Sequence, residues 1–243
     1  MAKAREDKAR DLRAGMALLW GEQERPSRGP KPSLTPPRIA AAAVALADAE
    51  GLEAVSMTKV GAEFGVSAMA LYRYVPGKAE LVELMVEAVL AERPDVADAG
   101  PGWRPGLTAW AHRMLAVYEA HPWLLAATAM RRRLMGPNQL GWLDEAHAVL
   151  ERTGLTAAER HQVFLLVVGH VRALAQQAAD FDAEHAREFG RLTGELLDRH
   201  AARFPALTKA IADGAFAPPA APDPLAFGLD RILDGVQVLI DAP

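Results

Sequence analysis

The chain has 243 residues, 51% hydrophobic and 24% charged, with a formal net charge of −4 and no cysteine. It is long enough to bury a core without covalent staples, as one large or two small domains. Disulfides and thiolate metal sites are excluded, a reducing cytoplasm is the expected setting, and the weak acidic balance leaves room only for a local basic patch on any nucleic-acid binder.

No stretch reaches the roughly 18 apolar residues expected of a membrane span. The N-terminus starts basic, but Glu6, Asp7 and Asp11 interrupt its apolar run and no small-residue cleavage site follows, so it does not read as a secretory leader. Leu12, Met16, Leu19 and Trp20 recur at helical spacing and predict a short amphipathic helix on the protein's own surface. Residues 21–37 are rich in Pro, Gly and Ser and predict a loop. From Arg25 through Arg28 and Lys31 to Arg38 it carries positive charge and no acid. Such an arm either tracks phosphates and a minor groove or is a solvated linker.

The first strong helix is "PPRIAAAAVALADAEG", with Ile39, Ala42, Ala43, Leu46 and Ala47 on one face, Thr35 as N-cap and Gly51 as terminator. A second starts after Ser56, with Met57, Val60, Gly61 and Phe64 inward and Thr58, Lys59 and Glu63 outward. Gly65 suits a sharp turn, Val66 plugs the corner, and Ser67 is the expected cap of a very short third helix with Leu71 and Val75 inward. Two helices joined by a tight Gly turn predict a helix-turn-helix. After Pro76-Gly77, a fourth helix presents Leu81, Leu84, Met85, Ala88 and Val89 on one face.

Arg93–Gly106 reads as a boundary, and the remainder as helices over Gly106–His121, Asn138–Thr153, Thr156–Asp180, Asp182–Phe204, Pro205–Gly214 and Pro224–Asp241. "HPWL" at 121–124 reads as a break and restart. The apolar centre of the longest helix, Val163 to Val168, predicts burial on several sides. The fold class is all-α.

Residues 35–85 resemble the DNA-binding domain of TetR-family transcriptional regulators. The resemblance rests on the G-L-x-x-x-S entry to helix two, the G-V-S turn at Gly65–Ser67, the L-Y-R-Y run at Leu71–Tyr74, and Lys78 opening helix four. The terminal "FGLDRILDG" helix is like that of the subgroup nearest the tetracycline repressor. The resemblance implies a cytoplasmic homodimer that binds a double-stranded DNA operator, with an effector pocket in its C-terminal domain. The implied organisation is an extension over 1–34, a helix-turn-helix domain over 35–82, and an effector-binding and dimerisation domain over 83–243.

A recognition helix needs small side chains at its start so that its backbone can approach the base edges. Ala68 and Ala70 fit that need, and Ala68, Met69 and Ala70 can touch a thymine methyl. Tyr72 is expected on a phosphate, Tyr74 and Lys78 where the family touches the backbone, and Ser67 on a phosphate besides its cap. Thr58 and Lys59 open helix two at its positive end, Lys59 being the better placed for a base edge. Arg73 has alternative destinations: DNA, or a pair with Glu63 or Glu80. Residues 1–90 hold 12 Lys and Arg against 12 Asp and Glu, so positive charge must be placed rather than abundant.

In the C-terminal domain Trp103, Trp110, Met114, Tyr118, Trp123, Met130, Trp142 and Phe164 either line an apolar effector cavity or form core. His170 sits in an apolar stretch and reads first as a satisfied core histidine. "DFDAEH" at 180–185 has no ligand spacing and reads as a solvated turn, so no metal is expected. No phosphate loop, nucleophile elbow, metal-binding H-E-x-x-H or dinucleotide fingerprint occurs, so neither catalytic residues nor a cofactor are expected. The competing reading is a helical ligand-binding or protein-interaction protein whose helix-turn-helix no longer binds DNA. The predicted dimer forms through Thr156–Asp180 and Pro224–Asp241, with domain coupling through helix four.

Overall fold

The computed structural model describes residues 12–22, 34–94, 96, 98–129, 134–179, 183–215 and 223–242. Among them there are only helices, turns and loops, with no strand. A short helix, α1, covers 12–19 of the described residues. It buries Leu18 and Leu19, while Met16 and Trp20 stay exposed, so its inner face is rotated from the predicted stripe. Gly15 allows the rotation, because a Cβ there would meet Leu134 Cδ1 at 2.4 Å.

Helices α2 (Pro36–Glu50), α3 (Met57–Ala62) and α4 (Ala68–Leu71) form the helix-turn-helix unit. Thr35 caps α2 by accepting from the Arg38 N–H at 3.4 Å, and Ser56 caps α3 from Lys59 N–H at 3.2 Å. Gly65 takes φ +65°, which turns the chain sharply between α3 and α4. Gly61 matters for a different reason: a Cβ there would lie 2.7 Å from the Val66 carbonyl oxygen. Its bare backbone lets α3 seat directly on the turn. Ile39, Val60, Leu71 and Val75 are fully buried in this small core.

Helix α5 (Lys78–Val89) packs on α2 at one side and on the C-terminal helices at the other. The single apolar face predicted for it is too narrow. Every residue from Leu81 to Glu87 is buried, including Glu83 and Glu87. The carboxylates are tolerated because each has backbone donors. Leu134 N–H donates to Glu83 Oε1 at 3.2 Å, and Asn138 and Gln139 N–H donate to the Glu87 carboxylate at 2.8 and 3.1 Å. Glu87 thereby caps the helix that starts at Pro137 from another helix, satisfying N–H groups that helix starts leave open.

The C-terminal part contains α6 (Trp103–Ala120), α7 (Leu124–Ala129), α8 (Pro137–Leu150), α9 (Ala157–Ala179), α10 (Ala183–Arg199), α11 (Pro205–Ala212) and α12 (Pro224–Ile240). α6 starts three residues before its predicted start, since Pro105 falls in the first turn, where its missing N–H costs nothing. α7 is the restart after "HPWL". At α9 a capping box closes the start: Thr156 N–H and Oγ1–H both donate to Glu159 Oε2, at 2.8 and 2.7 Å, and Glu159 N–H donates back to Thr156 Oγ1. These bonds hold the Glu159 carboxyl below its ordinary pKa. The core of this part lies between α6, α8, α9 and α12.

The centre of α9 departs from expectation. Val163 and Val167 are buried, but Leu165 and Leu166 are 44% and 56% exposed. Among the described residues α9 packs against α6, α7, α8 and α12, and Leu165 and Leu166 lie on a face these leave open.

Candidate nucleic-acid interface

Most of the residues expected at DNA are exposed or half-buried on the helix-turn-helix. The four-residue α4 exposes Met69 fully to solvent, 74% accessible, while Ala68 and Ala70 beside it are half-buried. Leu71 and Val75, wholly buried, fix the helix from beneath. Tyr72 follows, exposed, and Arg73 is also exposed and pairs with neither Glu63 nor Glu80. Tyr74 is half-buried against the core, so its ring also supports the helix-turn-helix from within. Ser67 has the extended backbone of an N-cap, but its hydroxyl makes no capping bond, contrary to the expected cap. In so short a helix, backbone turns from Ser67 O onward already organise the start, and the hydroxyl stays open.

Thr58 and Lys59 project from the start of α3, both exposed. Lys59 Nζ lies 2.7 Å from Glu50 Oε2, with both side chains about half exposed. A surface pair of this kind contributes ~0.2–1 kcal/mol and exchanges readily for a phosphate. Lys78 is the first residue of α5, exposed at the opposite end of α4. Arg28 and Lys31 of the basic arm lie outside the described residues.

Three aromatic residues of the C-terminal part pack on one another. Trp110 and Trp142 meet edge-to-face at 5.8 Å between centroids, and Phe164 meets Trp110 at 5.7 Å. Their polar atoms are satisfied: Trp110 Nε1–H donates to Trp142 O at 2.9 Å, and Trp142 Nε1–H to Leu90 O at 3.0 Å. Met114, Tyr118 and Trp123 are also buried, Trp103 is half-buried at the start of α6, and Met130 lies outside the described residues. His170 Nε2 approaches Leu225 O at 3.3 Å and its ring fills the space a side chain on Gly228 would need. It therefore knits α9 to α12. Asp180–Asp182 lie outside the described residues.

Sequence patterns missed two polar features of this domain. Arg172 donates to Tyr118 Oη, Thr128 Oγ1 and Leu125 O, tying α9 to α6 and α7. His147 and His161 stack at 5.7 Å beside Phe164, and burial, then the neighbouring His161 and Arg160, lower the His147 pKa, with Asp144 opposing. The open spaces lie elsewhere. A groove of about 460 Å³ between α2, α5 and α6 is lined by Ala41, Val44, Ala88, Arg113, Val117 and His121 among others. A second, of about 550 Å³, runs along α8 beside Trp20, Arg93 and His147.

Residues 39–85 match the family model for bacterial regulatory proteins of the tetR family, and 96–240 match the tetracyclin repressor-like C-terminal domain. The chain belongs to the TetR family. The HTH-type transcriptional repressor DrrR1 of Streptomyces coeruleorubidus is 40% identical over 239 residues, covering 95% of this chain and 87% of that one. An HTH-type transcriptional regulator of Saccharopolyspora erythraea is 35% identical over 141 residues, covering 58% and 59%. Among solved structures, the TetR-family protein ActR of Streptomyces coelicolor in complex with actinorhodin superposes with a TM-score of 0.75 at 26% identity, over 87% of this chain and 100% of that one. TetR-family membership accounts for the all-α layout and for the helix-turn-helix at its N-terminal end.

Proposed function

We propose that this TetR-family chain is a homodimeric transcriptional repressor that releases a palindromic operator when a small, largely apolar effector binds its C-terminal domain. The observation that carries this reading is the exposed face of α4. A bare, small-residue start with Met69 outward is followed along the chain by exposed Tyr72, Arg73 and Lys78, and exposed Lys59 stands near the start of α3. Small residues give close approach to the major groove, and the flanking hydroxyl and cations hold phosphates. The interface residues are Thr58, Lys59, Ser67, Ala68, Met69, Ala70, Tyr72, Arg73, Tyr74 and Lys78, joined by Arg28 and Lys31 of the arm.

Dimerisation through α9 and α12 is supported by their open apolar faces, Leu165 and Leu166 on one and Phe227, Val238 and Leu239 on the other. Covering those faces with a second copy would set two recognition helices about 34–36 Å apart, one DNA turn. The division into arm, reading head and effector domain follows the same reading, with α5 shared across the boundary at 82. ActR, a similar protein, was solved with actinorhodin, which supports a small-molecule effector here. Effector and DNA then oppose each other reciprocally, each weakening the other's binding by the same factor.

Fluorescence anisotropy of duplexes tiled across the upstream DNA, at two salt concentrations, tests the reading. The expected result is tight binding to one palindromic segment that weakens steeply with salt and is lost in Tyr72→Ala with Lys78→Ala. Salt-independent binding, or binding untouched by that double change, would refute it.

A further inference from the structure

We propose that Asp48 is a positioning residue that locks the reading head to the corner between α6 and α7, so that movement of that corner reorients the head. The proposal deepens the regulator reading above and rests on it for its biological meaning.

Asp48 lies near the end of α2. Its Oδ1 takes two hydrogen bonds from residues 73 and 75 positions later: His121 Nδ1 at 2.8 Å and Trp123 Nε1 at 2.6 Å. An ionised carboxylate only accepts, so His121 carries its proton on Nδ1 in this contact. The three side chains are held differently. Trp123 is 6% exposed and its neighbour Leu124 is wholly buried, so the indole is fixed in the effector domain. Asp48 and His121 side chains are 33% and 24% exposed. The indole N–H, buried and with one acceptor, holds the carboxylate, and the imidazole braces it from the wet side, its ring 6.0 Å from the indole. Charge-assisted bonds of this length are about twice as strong as neutral ones.

The location gives the contact its meaning. His121 closes the end of α6, whose inner residues Trp110, Met114 and Tyr118 belong to the aromatic centre of the effector domain. α2 packs on α3, and α3 on α4. A shift at the end of α6 is therefore delivered to the recognition helix through α2. Beside the contact, the groove of about 460 Å³ separates α2 and the end of α5 from α6. Across that groove the other described ion pair is Arg113 with Glu92, and Glu92 is 84% exposed, so it contributes little. α5 provides one route between the domains. The Asp48 contact provides a second that bypasses α5 and bears directly on the head's angle.

The chain has no cysteine, so introduced cysteines take spin labels uniquely. Labels at Glu63→Cys on the head and Ala148→Cys on α8, diluted with unlabelled chain, report the distance from head to effector domain whatever the oligomeric state. The expected result is one narrow distance distribution that widens about twofold in Asp48→Ala and in Trp123→Phe. Asp48→Asn keeps an acceptor oxygen and stays near the parent width. Asp48→Ala with Trp123→Phe is no wider than Asp48→Ala alone. An unchanged width in Asp48→Ala, in protein whose circular dichroism and melting confirm folding, overturns the proposal, as does full additivity of the two changes. The same variants are titrated against the upstream duplexes, with about tenfold weaker binding expected for Asp48→Ala. Widening without any DNA binding by the parent protein upholds the lock and refutes the regulator reading instead.

Discussion

Gly61→Ala is the sharpest perturbation of the reading head, because helix propensity and packing push it in opposite directions. In an unconstrained helix Ala exceeds Gly by about 0.8–1 kcal/mol. At Gly61 the added Cβ would sit 2.7 Å from the backbone carbonyl oxygen of Val66. Tolerable carbon–oxygen contacts begin near 3.3 Å, so α3 and the turn must part by roughly 0.6 Å. No rotamer can relieve a clash with backbone, and overpacking of this kind costs about 2–3 kcal/mol. The net expectation is a loss of about 1–2 kcal/mol after the propensity gain. The control is Gly190→Ala on α10, where nothing lies within 4 Å of the new methyl. There the same substitution should stabilise by about 0.5–1 kcal/mol. Urea denaturation of both variants, with operator titration of Gly61→Ala, reads the difference. Equal shifts of the two midpoints in the same direction, or a Gly61→Ala head that binds DNA like the parent, would refute the close-approach account.

Glu87→Ala strands the N–H groups of half-buried Asn138 and buried Gln139 and should cost about 1–3 kcal/mol, while Glu87→Gln retains an acceptor and should cost less; denaturant midpoints check both. Lys59→Ala should weaken operator binding and lower the slope of log affinity against log salt by about one, measured by anisotropy across a salt series. Because the His147 pKa is lowered in the fold, the unfolded chain takes up the proton first, so stability falls as pH drops below the ordinary 6.5. Melting between pH 7.5 and 5.5 should show that loss, reduced in His147→Gln.

The helix-turn-helix was legible because its determinants are local: Thr35 and Ser56 as caps, Gly65 at positive φ, and apolar residues at helical spacing. The outer residues of α4 could be named for the same reason. What escaped is tertiary. Periodicity gave α5 a single apolar face because Glu83 and Glu87 look like solvent-facing residues, and only the approach of the 134–139 segment makes their burial tolerable. Spacing alone could not separate pocket from core for Trp110, Trp142 and Phe164, whose edge-to-face contacts and satisfied N–H groups are tertiary. The restart at "HPWL" was visible, but α7 is only six residues long, too short for a period to give its extent. Asp48 has no local partner in sequence, so its pairing with the α6–α7 corner was out of reach.

The burial of α5 on every side from Leu81 to Glu87 bears on how such a chain can be taken apart. A reading head cut after residue 90 would carry an apolar wall and two carboxylates stripped of their donors into water. Such a fragment should be poorly soluble, and calorimetry of the intact chain should show one melting peak rather than two. Grafting this head onto another effector domain would require transplanting the 134–139 segment and the Trp142 to Leu90 bond with it. The seam between the two halves is thus shared core, and recombination would have to cut elsewhere to make working hybrids.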